Sequence, residues 1–143
     1  MENEEIKFSI KRIYTRDVSF ESPEAPKIFD DQTLMPKIGF NLNSGIDKLG
    51  DNHYEITLEI SVKAETEDKV VYLVEIKQSG LFEITGVNDD VKQSFLNIRC
   101  PEILFPYARE NISGLIQKGG FPPIFLTPID FAALHHQEMA KNK

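Results

Sequence analysis

Between residues 54 and 63 the chain alternates without a fault: Tyr54, Ile56, Leu58, Ile60 and Val62 are apolar, while Glu55, Thr57, Glu59, Ser61 and Lys63 are polar. A period of two does not fit a helix, whose faces recur every 3.6 residues, so the run is a strand with one face in a core and one in water. Val70, Tyr72, Val74 and Ile76 then alternate with Val71, Leu73, Glu75 and Lys77, and the polar turn Thr66-Glu67-Asp68 between the runs predicts an antiparallel hairpin. Ile6, Phe8 and Ile10 alternate with Lys7, Ser9 and Lys11, and Ile38, Phe40 and Leu42 with Lys37, Gly39 and Asn41, giving two more strands. Four strands ahead of any helical signal predict an α+β fold on a four-stranded antiparallel sheet.

Leu104, Ala108, Ile112 and Leu115 form an apolar stripe at helical spacing, which Gly119-Gly120 and Pro122-Pro123 bring to a stop. Pro106 has no amide donor and costs an interior turn ~3 kcal/mol, so a long helix is expected to start close to it or to kink there. A shorter helical segment is expected over 89–98. A C-terminal helix is expected over 130–141, with Asp130 as its N-cap. At 143 residues the chain is expected to be one domain, 1–143.

A net charge of −7 with 16 scattered basic residues argues against a nucleic-acid partner, which needs clustered Lys and Arg. Cys100 is the only cysteine, so no intrachain disulfide can form, and a reducing cytosol is the simpler expectation. Met1-Glu2-Asn3-Glu4-Glu5 is acidic where a signal peptide needs a basic start, and no run approaches the ~20 apolar residues of a membrane span. The expectation is a protein neither exported nor inserted. His135 and His136 are adjacent, whereas a helical zinc motif needs its histidines four apart, so no metal is implied. No Gly-rich phosphate loop is present, and Asn111-Ile112-Ser113 reads as an accidental glycosylation match in a helix. Cys100 with His53 leaves a small enzyme as a minor alternative to a structural thiol.

Six of the eight prolines fall in two segments, Pro23 to Pro36 and Pro122 to Pro128, which are expected to be loops. Those loops and their flanks carry Phe20, Ile28, Phe29, Leu34, Met35, Phe121, Ile124, Phe125 and Leu126, an apolar load foreign to ordinary surface loops. Each such side chain left in water forgoes ~1.5–3 kcal/mol of burial. Two accounts stand side by side: the loops fold over the core or are covered by oligomer contacts, or they line a groove for extended segments of another chain.

Pro101-Glu102-Ile103-Leu104-Phe105-Pro106-Tyr107-Ala108-Arg109-Glu110, with Gly119-Gly120-Phe121-Pro122 and Pro128-Ile129-Asp130-Phe131, resembles the SecB protein-export chaperones. Arg12-Ile13-Tyr14, Asp17, Ser19-Phe20-Glu21, Pro23 and Ala25-Pro26 extend the resemblance over roughly residues 6 to 131. It implies an ATP-independent cytosolic holdase, not an enzyme, without cofactor or metal, that binds unfolded precursor proteins and delivers them to the SecA ATPase. It also implies a homotetramer, a dimer of dimers, with the long helix in the interface. By position, the resemblance implies unfolded-polypeptide binding at Phe29, Leu34, Phe40, Leu42, Phe121 and Phe125. SecA contact falls to Asp17, Glu21, Leu73 and Glu75, and tetramer assembly to Tyr72, Val74, Ile76 and Gln78. The chain departs from the family in having no Trp near Leu34, in a less apolar terminal helix, and in a short basic tail, Lys141-Asn142-Lys143. An adaptor dedicated to one partner, such as an antitoxin, shares the fold and is the alternative.

Overall fold

The structure, a computed structural model, describes residues 5–141; the acidic start Met1–Glu4 and the tail residues Asn142 and Lys143 lie outside the described residues. The alternating runs form one antiparallel sheet of four strands, β1 (Lys7–Glu21), β2 (Lys37–Gly50), β3 (His53–Glu65) and β4 (Val70–Thr85), in the order β1-β4-β3-β2. The hairpin expected from the two clearest runs is β3–β4, with Ile60 opposite Ile76 and Val62 opposite Val74, and its turn closes through Thr66 N–H donating to the Lys69 carbonyl at 2.9 Å. Because β1 pairs with β4 and β2 with β3, the 22–36 connection must cross from one edge of the sheet to the other. It carries a 3-10 turn, Lys27–Asp30, whose Ile28 is buried in the core. The prolines exclude a regular element there, as expected, but not this single turn.

β1 and β2 both run well past their expected ends. In β1 the register with β4 shifts between Ile10 and Arg12 and again between Thr15 and Asp17, so Lys11 and Arg16 are extra residues in two bulges. Each bulge moves the next inward residue on by one place: Phe8, Ile10, Ile13, Thr15, Val18 and Phe20 share the inner face, and a strict count of two is broken. In β2 the phase holds, but Ser44 and Lys48 occupy inner-face places and hide the alternation.

A helical run continues from α1 (Asp89–Ser94) through one π turn (Phe95–Arg99) into α2 (Cys100–Lys118). Asn88 caps α1 by accepting from the Val91 N–H at 2.9 Å. The expectation that the long helix starts close to Pro106 is corrected: α2 begins six residues earlier and runs through it, with Pro106 on the exposed side. There a missing donor leaves the Glu102 carbonyl facing water rather than the core. α3 (Phe131–Lys141) opens as expected, Asp130 accepting from the Ala133 N–H at 3.0 Å. Among the described residues, no helix is long and apolar enough to cross a membrane.

The core lies between the sheet's inner face and α2, which covers β4 and β3. Ile56, Leu58, Val62, Val74, Phe82 and Ile84 are sealed against Leu104, Ala108, Ile112 and Ile116, each fully buried. One helix is too narrow to roof four strands. Ile10 and Val18 at one edge, and Ile38, Phe40 and Ile46 at the other, share the inner face yet remain 42–46% exposed.

Candidate functional site

Gly119 and Gly120 end α2 and set the path of the connector beyond it. A Cβ at Gly119 would collide with the Phe20 ring, so the bare backbone lets the end of β1 lie flush against the helix terminus. Gly120 adopts φ +92°, a left-handed conformation that turns the chain back over Phe29. The result is a run of aromatic rings: Phe20 against Tyr72 at 6.1 Å, Tyr72 against Phe121 at 5.0 Å, and Phe121 against Phe29 at 5.2 Å between centroids. The two proline-rich connectors therefore meet, and Phe29 closes the cluster while staying 48% exposed. Burial raises the Tyr72 phenol above its ordinary pKa, so the cluster presents no charge near neutral pH.

The six residues expected to bind unfolded chain occupy three separate places. Phe29 and Phe121 belong to the aromatic cluster, and Leu34 is half-buried against the core. Phe40 and Leu42 lie on the inner face of β2, where Leu42 and Ser44 form one wall of a groove and Phe131, Leu134, His135 and Glu138 form the other. Phe125 is 73% exposed and stands beside Pro106, Glu110, Ser113 and Gln117 on the outward side of α2. None of the four aromatic or aliphatic residues on the connectors, Phe29, Leu34, Phe121 and Phe125, is fully enclosed. Ile38 and Ile46, in register with Phe40 and Leu42, extend the same open stripe and were missed because the sequence pattern does not say which strand lies at the edge. Phe20 and Tyr72 were not expected in this cluster; the contact depends on a 119-to-20 approach that no local pattern encodes.

The four residues expected to contact SecA come together. On the outer face of the sheet Asp17 lies opposite Lys77, Glu75 opposite Ser19 and Glu21 opposite Leu73, so all four predicted residues share one end of the β1–β4 pair. Asp17 and Glu75 line a shallow depression with Lys77, Glu59, Asn41 and Asn43. Lys77 is engaged by Glu59 at 3.6 Å, and among the described residues no cation pairs with Asp17, Glu21 or Glu75. Three uncompensated carboxylates make that end of the face a local source of negative potential.

Tyr72, Val74, Ile76 and Gln78 lie on the opposite, inner face, 4%, 0%, 1% and 2% exposed under α2. They reach any second copy only through that helix. Cys100 is buried at the start of α2, and burial pushes its thiol up to about 12, which suppresses the thiolate a nucleophile needs.

The family model described as "Preprotein translocase subunit SecB" matches residues 1–142. Proteins named "Protein-export protein SecB" are similar along nearly the whole chain. That of Stenotrophomonas maltophilia is 42% identical over 136 residues, 95% of this chain and 78% of the relative; that of Methylococcus capsulatus is 44% identical over 137 residues, 94% and 86%. Among solved structures, the SecB-like chaperone of Mycobacterium tuberculosis in complex with a peptide from the HigA1 antitoxin superposes with a TM-score of 0.69, covering 85% of this chain and 90% of that one. At 13% identity that likeness speaks to the fold alone. With the family model spanning the chain and relatives above 40% identity, this chain belongs to the SecB family.

Proposed function

We propose that this protein is an ATP-independent cytosolic export chaperone, which holds unfolded precursor chains on its inner sheet face and passes them to the SecA ATPase. The observation that carries the reading is the open apolar stripe Ile38, Phe40, Leu42 and Ile46 beside the aromatic cluster. It lies along the free edge of β2, with Ser44 the one polar side chain among its inner-face places. From Ile38 to Ile46 the strand advances eight residues, roughly 27 Å at about 3.4 Å per residue. That length suits an extended client segment, which can use the unpaired backbone of the edge as well as the side-chain stripe.

One groove gains little from any single contact after the client's ordering cost is met. A homotetramer, assembled as a dimer of dimers, multiplies weak grooves on one long client and gives hold without sequence specificity. The outer carboxylates Asp17, Glu21 and Glu75 suit a basic SecA surface, raising encounter rate and making it salt-sensitive. Non-enzymatic action is consistent with the same design, since holding needs exposed apolar surface and no reacting group.

The test is refolding of a precursor protein in the presence of the purified chaperone. Refolding slows when the chaperone is added to the unfolded precursor, and nothing changes when it is added to one already folded. Refolding at an unchanged rate ends the reading.

A further inference from the structure

The π turn between α1 and α2 has its cause just beyond it. In an unbroken α-helix the Asn97 carbonyl would need the amide of Pro101, which has no N–H and whose ring would press on that carbonyl. The chain widens instead, and the Cys100 N–H reaches back five residues to the Phe95 carbonyl. Asn97 then braces the turn from the side: its Nδ2 donates to the Gln93 carbonyl at 2.8 Å and to Gln93 Oε1 at 3.1 Å. The other side of the turn is held by the fold, with Leu96 buried and Phe95 stacked on Phe8 at 5.0 Å between centroids.

α3 rests on that turn. Its first residue, Phe131, is buried and stands edge-on to Phe105 at 6.0 Å, and α3 otherwise packs on the π turn more than on the sheet. Phe131, Leu134, His135 and Glu138 face Leu42 and Ser44 across the groove, and Asn97 stands in the same lining. The groove holds about 170 Å³, below the roughly 300–1,000 Å³ of an ordinary ligand pocket. So small a gap makes entry sensitive to where α3 sits.

Given the client capture proposed above, we propose that Asn97 and Gln93 are positioning residues for it. The pair holds the π turn, the turn seats α3, and that seat sets the gap between α3 and β2 in which a client side chain lodges. Gln93 is exposed and lies outside the groove lining, so it acts on the groove only through Asn97.

The test joins client affinity to a distance. Spin labels are placed at Asp47→Cys on β2 and Met139→Cys on α3, both exposed, while buried Cys100, its thiol pushed up to about 12, stays unlabelled. On this background Asn97→Ala is compared with Thr57→Val, which removes the 2.7 Å Thr57–Ser79 hydrogen bond on the far side of the sheet from α2. Asn97→Ala is expected to shift or broaden the 47–139 distance distribution and to raise the dissociation constant for an unfolded precursor about fivefold, or about 1 kcal/mol. Thr57→Val should leave the distance unchanged and the affinity within about twofold of wild type. Should Asn97→Ala not fold, Asn97→Asp, of the same shape but without the donor, takes its place and is expected to move the same distance. An unmoved distance overturns the seating whatever the affinity does, and a moved distance with unchanged affinity overturns its part in capture. Equal effects from Thr57→Val overturn it as well. A wild type that binds no precursor removes the capture reading and the pair's role in it, while the distance still reports whether the pair seats α3.

Discussion

β1, 15 residues long, and β2, 14 residues long, flank the same sheet, and they treat their free edges differently. β1 is interrupted twice, and the residue inserted at each bulge is a cation, Lys11 or Arg16. Lys11 reaches Glu83 at 3.4 Å, and Arg16 reaches across β4 to Glu55 on β3 at 2.8 Å, where the Tyr14 phenol donates to the same carboxylate. Burial and then Glu55 push the Tyr14 phenol up to about 12. Bulges and charges twist and guard that edge. β2 stays in unbroken register with β3 from Lys37 to Lys48, and from Ile38 to Ile46 it bears no charged side chain. A regular, uncharged edge with an apolar face is a template for another strand. Exposed apolar surface in this molecule is therefore not core left unfinished on both sides. Under the function proposed above, the surface beside the unguarded edge is the one that takes clients.

The largest expected effect comes from charging the unguarded edge. Phe40→Asp with Ile46→Asp is expected to weaken client binding by at least a hundredfold, since each site forgoes ~1.5–3 kcal/mol of apolar contact. Thermal stability should change little because both side chains already stand more than 40% exposed. Titration of an unfolded precursor against the variant measures the first, and a melting curve the second. Full-strength binding by the double variant would mean that the two edges do not divide the work as proposed.

Next in size is the seat of β1 on the helix terminus. Gly119→Ala forces Phe20 out of contact with the backbone and opens the aromatic run, at a cost of about 1–3 kcal/mol in unfolding free energy. Urea denaturation measures it. The guard itself is worth less: Glu55→Gln keeps the shape but removes the charge that Arg16 and Tyr14 share, with an expected loss of about 1 kcal/mol, because the Arg16 side chain is 56% exposed and screened by solvent. Client affinity should be unmoved by Glu55→Gln if the β1 edge takes no part in capture.

The strands nearest the sheet centre were legible because burial on one face alone imposes the alternation seen in β3 and β4. The edges were legible only in part. The bulges at Lys11 and Arg16 reset the phase of β1, and half-covered β2 tolerates Ser44 and Lys48 on its inner face, so neither keeps a clean period. Asp130 was readable as a cap since that bond closes within three residues. The Phe20–Tyr72–Phe121–Phe29 cluster joins four separate stretches of chain, and its rings were visible only as an apolar surplus without an address. The hydrogen bonds that Asn111 donates to Gln78 and Thr15 were hidden for the same reason: those partners are 33 and 96 residues away.

The smallest expected effect concerns the other cationic bulge and is read in pH. Glu83 receives Lys7 at 3.2 Å and Lys11 at 3.4 Å, and His53 stands 3.4 Å from its second oxygen. Contact with Lys7 first, and with Lys11 after it, outweighs desolvation and holds the carboxyl below its ordinary value of 4.5. A group whose folded pKa is depressed contributes stability that is fully present above its unfolded pKa and is lost as pH falls through the folded one. Melting curves taken from pH 7 down to about pH 3 should therefore show an acid slope below pH 4.5 to which Glu83 contributes. Glu83→Gln should flatten that part of the slope, with the loss at neutral pH small because Lys7 and Lys11 remain hydrated. The same variant loosens the start of β1 without touching β2, so client binding at neutral pH should match wild type. A fall in client binding would place part of the capture surface on the guarded edge and erase the asymmetry.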